Sequence, residues 1–404
     1  MGIIVQKFGG TSVSSADKRE QVVRKIKNAV DEGLQVVVVV SAMGRVGEPY
    51  ATDTLIGLAR EISKQIRPRE LDLLMSCGEI ISSVIMVQTL RSHGLDAVAL
   101  TGAQAGIITD YHFNNAHIKE VHPARILKLL DEGKIVVVAG FQGVTGDGEI
   151  TTLGRGGSDT TAAVLGVALK AEVIEIYTDV DGVMTADPRM VPQAKPLDSL
   201  TYQELCEMAH LGAKVVHPRA VEIAMEGRIP LRIRSTFADG PGTLVADGAP
   251  IGSIEIRRDK IVTGLAHLAG MALVTIQSKD DLNENGMVLN VFEIMADSGI
   301  SVDMIQVAPY QIRFIIDEQR MDQAEQVLSR TGLDVTIEPG FAKVAIVGSG
   351  MRGVPGVMAK MVKGLRQAEI AIYHSVDSHT NIACLVKQEV MSKALQALHF
   401  QFLN

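Results

Sequence analysis

The chain has 404 residues, 47% of them apolar and 21% charged, with a formal net charge of −8. That length exceeds what one hydrophobic core serves and fits two or three globular domains. The negative charge argues against general nucleic-acid binding, and the scarcity of aromatic residues with no tryptophan leaves little for base stacking.

Cys77, Cys206 and Cys384 lie far apart without metal-ligand spacing and read as reduced thiols of a cytoplasmic protein. No basic flank precedes an apolar stretch at the N-terminus, so no signal peptide is expected. The longest aliphatic run, Val36 to Val40, is far too short to span a membrane.

In chain order, apolar strands are expected at Ile3–Phe8, Val36–Val40, Ala97–Leu100, Ile135–Ala139, Val173–Tyr177 and Leu231–Ile233. Helical periodicity falls between them at Lys18–Val30, Leu55–Ile66, Leu71–Leu90, Ala124–Leu130, Thr160–Leu169, Tyr202–His210 and Ala220–Met225. Strands apolar throughout are buried on both faces, which requires helices above and below a largely parallel sheet. Residues 1–245 are therefore expected to form one α/β domain. Asp239-Gly240-Pro241-Gly242 and Asp247-Gly248-Ala249-Pro250 are turn clusters that close it.

Shorter elements follow. Residues 262–338 read as strand Leu273–Ile276, helix Met287–Ala296, strands Ser301–Val307 and Ile312–Ile316, and helix Asp322–Leu328. Residues 339–404 repeat the order as strand Val344–Val347, helix Val357–Gln367, strands Ile370–Val376 and Ile382–Val386, and helix Val390–Leu398. This is a ferredoxin-like repeat. The first copy has a surplus strand near Ile261–Leu265 and the second lacks its last one, which suggests an exchanged strand.

The first strand runs into Lys7-Phe8-Gly9-Gly10-Thr11-Ser12. A lysine followed by two glycines brings backbone N–H groups to an anion, with a helix start at Ser14–Asp17 adding its dipole; the same residues also suit a plain strand–turn–helix. Ser41-Ala42-Met43-Gly44 ends a buried strand, where ligands of open α/β sheets gather and where plain turns are common. Capping is the simpler reading of Asp53 or Thr54. Gly154-Arg155-Gly156-Gly157-Ser158-Asp159 is stronger: three glycines, a guanidinium fork and a helix start rarely coincide in a structural turn. Thr178-Asp179-Val180-Asp181-Gly182 lacks the rest of a calcium loop and suits nucleotide contact. Glu79, in an apolar helix, demands a partner, either a substrate amino group or a structural arginine. Lys214, alone, reads as a solvated lysine. There is no P-loop, and Gly348-Ser349-Gly350-Met351-Arg352-Gly353 has too little chain behind it for a dinucleotide domain.

Taken together, Lys7–Ser12, Ser41–Gly44, Gly154–Asp159 and Thr178–Val183 resemble, in order, the motifs of the aspartate kinases. The resemblance covers the whole chain and implies an amino-acid-kinase sheet between helix layers, then two ACT regulatory modules. It implies transfer of phosphate from MgATP to the side-chain carboxylate of L-aspartate, at the head of lysine, diaminopimelate, threonine and methionine synthesis. By resemblance, Lys7, Phe8, Gly9, Gly10, Ser41, Thr178, Asp179, Met184, Asp187, Arg189 and Lys214 would serve ATP. Thr52, Glu79, Arg155 and Ser158 would hold aspartate. Lys7, Arg155, Asp159 and Lys214 would act in catalysis, and Mg²⁺ would be held through ATP rather than by a protein cage. An end-product amino acid would bind near Ser278, Asp280, Asn290, Gln306, Asp377 and His379, and also at the Gly348–Arg352 turn. Ser375–Asn381 departs from the Ser-Thr-Ser-Glu-Ile pattern of lysine- and threonine-responsive relatives, so meso-diaminopimelate stands beside lysine and threonine. A homodimer through the ACT modules is implied, with no nucleic-acid or membrane partner. The rivals are a glutamate-type kinase of the same fold, a nicotinamide dehydrogenase and a catalytically silent sensor. The chain is too short for a fused homoserine dehydrogenase.

Overall fold

The valine-rich segments form the centre of an eight-stranded sheet in the computed structural model of the chain, which describes residues 1–213, 215–247, 261–283, 286–351 and 353–404. Of these, 1–183, 196–209 and 215–247 make one unit, and 184–195, 210–213 and the residues from 261 onward make another.

The strands of the first unit are β1 (Ile3–Phe8), β2 (Gln35–Val40), β3 (Ala97–Leu100), β4 (Ile107–Thr109), β5 (Ile118–Val121), β6 (Ile135–Ala139), β7 (Gln142–Val144), β8 (Ile150–Thr152), β9 (Val173–Thr178), β10 (Ser199–Leu200), β11 (Leu231–Ser235) and β12 (Thr243–Val245). The large sheet runs β10-β12-β11-β9-β1-β2-β6-β3. Only the β11–β12 pair in it is antiparallel. A second sheet, β5-β4-β7-β8, was not expected from the sequence. Its strands of three or four residues are too short to carry a readable period.

The helices are α1 (Gly10–Val13), α2 (Ala16–Asp31), α3 (Thr52–Ile62), α4 (Pro68–Ser92), α5 (Ala124–Asp131), α6 (Gly157–Ala168), α7 (Tyr202–His210) and α8 (Pro218–Gly227). Ile26 of α2 and Met86 and Leu90 of α4 pack with Ile4, Phe8, Val36, Val38 and Val40. Strand alternation then turns Val5 and Lys7 to the opposite face, where α6 packs on β1, β2 and β9. By length and composition α4 could cross a membrane, yet half of its most apolar window is buried within the protein. Its buried side also carries Asp72, Ser76, Glu79 and Ser83, as suits a core helix.

The second unit contains β13 (Gly264–Gln277), α9 (Met287–Asp297), β14 (Asp303–Ala308), β15 (Gln311–Asp317), α10 (Met321–Leu328), β16 (Asp334–Val347), α11 (Val357–Gln367), β17 (His374–Asp377), β18 (Asn381–Lys387) and α12 (Met391–Leu403). They build one antiparallel sheet, β14-β15-β13-β16-β18-β17. The two strands expected at Ile261–Leu265 and Leu273–Ile276 are joined in the single long β13. Its first half pairs with the second half of β16, and its second half with β15 and the first half of β16. Between them Gly270, with a φ of 73°, sits at a shift in register rather than at a strand end.

The sheet curls until its edges touch. The His374 imidazole hydrogen-bonds the Met304 carbonyl at 2.6 Å, and Lys343 pairs with Asp303 at 2.6 Å. Inside the curl lie Met271, Leu273, Met304, Ile315, Phe341 and Leu385. Ala186 and Val191 pack into the core formed by β16, β18, α11 and α12, and Thr185 hydrogen-bonds the buried His399 at 3.0 Å. Residues 184–195, expected as part of the first domain, thus belong to the second unit.

Candidate active site

A cleft of about 670 Å³ opens in the first unit. Lys7, Gly10, Ser41, Thr52, Glu79, Arg155, Ser158 and Asp159, each singled out in the sequence, line it together. The placement follows from periodicity. Thr52, Ile56 and Arg60 share one face of α3, while Leu71, Met75 and Glu79 share one face of α4. Lys7 comes from the α6 side of β1.

Lys7 Nζ lies 2.5 Å from Asp159 Oδ1, both side chains nearly buried. Asp159 stands in the first turn of α6, where the helix dipole favours an anion. Its other oxygen accepts from the His217 amide at 3.3 Å. The Gly10 loop is pressed against the Ser41–Gly44 loop, with the Gly44 amide donating to the Gly10 carbonyl at 3.0 Å. A Cβ on Gly10 would fall 2.4 Å from the Ala42 carbonyl oxygen, so only glycine permits this approach.

Glu79 is 2% exposed. Its Oε1 accepts from the Ala42 amide at 3.0 Å, and Oε2 has no hydrogen-bond partner among the described residues. Burial pushes its pKa up to about 8 against the Ala42 hydrogen bond. The arginine that would have made Glu79 a structural ion pair is therefore not seen among the described residues. An unpaired carboxyl in a cleft wall is instead ready for a cation brought by a ligand.

Sequence reasoning missed Arg45, Arg60 and Asn114, which also line the cleft. The four-residue spacing from Thr52 to Arg60 could have revealed Arg60. Asn114 depends on Asp72, fully buried on α4. Both Asp72 oxygens accept from the Asn114 amide at 3.0 Å, and they also take the Thr152 amide and hydroxyl at 2.8 and 2.7 Å. Asp72 carried the same signal as Glu79, an acid within an apolar helix.

Several expectations need correction or narrowing. The helix beside Gly9-Gly10 is the single turn α1, and Ser15 caps α2 further on. Ala51, not Asp53 or Thr54, occupies the N-cap of α3; Thr54 accepts from the Gly47 amide instead. Ser158 and Asp159 do not cap α6, whose N-cap is Gly156. The Phe8 ring is fully buried and stacked on Tyr177 at 4.7 Å, leaving only its backbone for a ligand. Gly9, Thr178 and Asp179 are not among the cleft-lining residues; Asp179 pairs with Arg45 at 2.9 Å. Met184, Asp187 and Arg189 lie in the second unit, where Arg189 grips Asp187 at 2.7 Å and holds its carboxyl below the usual range. Lys214 and Arg352 lie outside the described residues.

Among the effector candidates, Ser278 accepts from the Asp280 amide. Asn290 is half-buried on α9, and Gln306, Asp377 and His379 are exposed.

The amino acid kinase family model matches residues 2–235, and an ACT domain model matches residues 336–399. Aspartokinase 1 of Bacillus subtilis (strain 168) is 48% identical over 404 residues, covering 100% of this chain and 99% of that protein. The chain belongs to the aspartokinase family. Among solved structures, E. coli aspartokinase III in complex with aspartate and ADP (R-state) matches with a TM-score of 0.81 at 28% identity, covering all of both chains. The same enzyme in complex with lysine and aspartate (T-state) matches with a TM-score of 0.77 at 28% identity and the same coverage.

Proposed function

We propose that the cleft transfers the γ-phosphoryl group of MgATP to the side-chain carboxylate of L-aspartate, giving 4-phospho-L-aspartate and ADP. The observation that carries this reading is the unpaired Glu79 carboxyl in a cleft that also holds Arg155. Glu79 would take the α-ammonium and Arg155 a carboxylate, so the wall matches an amino acid with an acidic end. Thr52 and Ser158 add hydroxyls beside them.

The acceptor carboxylate has an ordinary pKa near 3.9 and is ionised at neutral pH, so no general base is needed. Catalysis then consists of positioning and neutralising converging anions. Lys7 supplies charge at the transferring group, Asp159 holds its ammonium in place, and the Gly10 loop brings backbone N–H groups close. Because Asp159 is already engaged by Lys7, the residues fit Mg²⁺ held chiefly by ATP oxygens, where it would neutralise phosphate charge. Lys214, Thr178, Asp179, Met184, Asp187 and Arg189 remain candidates for the nucleotide.

The regulatory reading is that residues 262–338 and 339–404 act as paired ACT modules, bind an end-product amino acid and join two chains, in the cytoplasm. A neighbour solved with lysine supports an amino-acid effector. The polar Asp377 and His379 favour a doubly charged one, with meso-diaminopimelate, lysine and threonine as candidates. Hydroxamate trapping with MgATP and either L-aspartate or L-glutamate tests the reaction; acyl phosphate from glutamate alone would refute the acceptor. Adding each candidate effector identifies the one that suppresses turnover.

A further inference from the structure

The loop from β4 to β5 carries Asp110, His112 and His117, which are not used by the kinase chemistry. Asp110 Oδ2 lies 2.8 Å from Nδ1 of His112 and 2.8 Å from Nδ1 of His117. Asp110 Oδ1 accepts the backbone amides of the same two residues, at 3.2 and 3.0 Å. The carboxylate is thus fixed by the backbone, its side chain 15% exposed, while the rings are 74% and 61% exposed. The rings meet edge to face, with centroids 5.4 Å apart.

We propose that Asp110, His112 and His117 form a binding site for a divalent first-row transition ion, with Zn²⁺ the natural occupant. One ligand atom from each residue lies within 4.8 Å of the others. An oxygen and a nitrogen 2.8 Å apart and each about 2.1 Å from an ion subtend about 84°, so each pair must open by about 0.6 Å to reach the tetrahedral angle zinc prefers. Coordination at Nδ1 leaves each ring proton on Nε2, so a ring whose proton sits on Nδ1 only moves it between its two nitrogens and the exchange balances without an added base. Two imidazoles and one carboxylate suit zinc, nickel or cobalt, whereas magnesium and calcium prefer all-oxygen shells. Millimolar Mg²⁺ supplied with ATP would therefore not compete.

The location gives the ion a consequence. The ligands close the base of the 110–117 loop, where the Asp110 amide also donates to the His117 carbonyl at 3.0 Å. Asn114 lies within that loop and lines the cleft. A metal clip there stiffens the loop that supplies one wall of the cleft.

The test is equilibrium dialysis of chelator-treated full-length protein against Zn²⁺, with Co²⁺ visible absorption as a second readout. The partners are the H112Q/H117Q double variant and Asp110→Asn, which keeps an acceptor for the loop amides but loses the carboxylate charge. One saturable ion per wild-type chain is expected, with a cobalt d–d band that shifts on binding. In the double variant both signals should vanish while thermal unfolding stays unchanged, and Asp110→Asn should bind at least several-fold more weakly. Equal zinc uptake by the wild type and the double variant, or no saturable uptake by the wild type, overturns the proposal.

Discussion

Replacing Glu79 with glutamine should weaken aspartate binding while making the protein more heat-stable, a combination that a merely structural glutamate would not give. In the folded protein burial lifts this carboxyl from 4.5 to about 8. A group raised in this way contributes stability that is fully present below the unfolded value of 4.5 and is lost as pH rises through 8. The fully developed loss is on the order of 5 kcal/mol. Glutamine does not titrate, so the melting temperature of Glu79→Gln relative to wild type should climb steadily between pH 5 and pH 8.

Ligand binding follows from the same shift. If the substrate ammonium requires the ionised form, the competent fraction is about 1% at pH 6 and about half at pH 8. The wild-type KM for aspartate should then fall about 50-fold across that range, and the Glu79→Gln profile should be flat. At pH 8 the variant loses a buried charge partner, worth about 2–5 kcal/mol or a KM increase of roughly 30-fold to several thousand-fold. The assays are initial rates by hydroxamate trapping and scanning fluorimetry at matched pH. A pH-independent wild-type KM, or a melting difference that stays constant with pH, would refute the reasoning.

Lys7→Ala should cut kcat by about 100-fold or more while changing aspartate affinity only a few-fold, as read by isothermal titration; near-normal turnover would remove Lys7 from the transition state. Asp72→Asn trades an acceptor for an amide N–H that faces donors. It should cost about 2–4 kcal/mol and raise the aspartate KM, and an unchanged melting curve with unchanged KM would contradict its role in holding Asn114. Phe341→Ala empties the inside of the curled sheet at a cost of about 3–5 kcal/mol. Calorimetry should show a lowered transition for the regulatory unit and feedback should weaken, with basal kinase activity largely retained.

The central strands were legible because runs such as Val36–Val40 have only one stable environment, a sheet covered on both faces. Lys7, Glu79, Arg155 and Ser158 were legible because each violates its local background: a cation ending a buried strand, an acid in an apolar helix, a glycine cluster around a guanidinium. Asp72 broke the same rule as Glu79 and was passed over, since its meaning rests on Asn114 and Thr152, distant in sequence. The sheet of β4, β5, β7 and β8 escaped because its strands are too short to show a period. Cap assignments at α3 and α6 failed because the polar residues at these helix starts are engaged elsewhere: Asp53, Ser158 and Asp159 line the cleft, and Thr54 accepts from the Gly47 amide. The stretch between Ile261–Leu265 and Leu273–Ile276 passed for a connection because sequence alone does not distinguish a bulge from a turn.

The long strands β13 and β16 have a consequence for inheritance. The half formed by residues 339–404 is completed by Gly264–Ala269, a stretch of strand that lies on the far side of the other half in the chain. A crossover between genes at the 329–333 connection would hand one half to a new parent while leaving its closing strand behind. Shuffling, which readily swaps self-contained sensors across flexible linkers, is thereby closed to these two halves. They can change only by substitution in place, and each change is tested at once against the packing of its sibling.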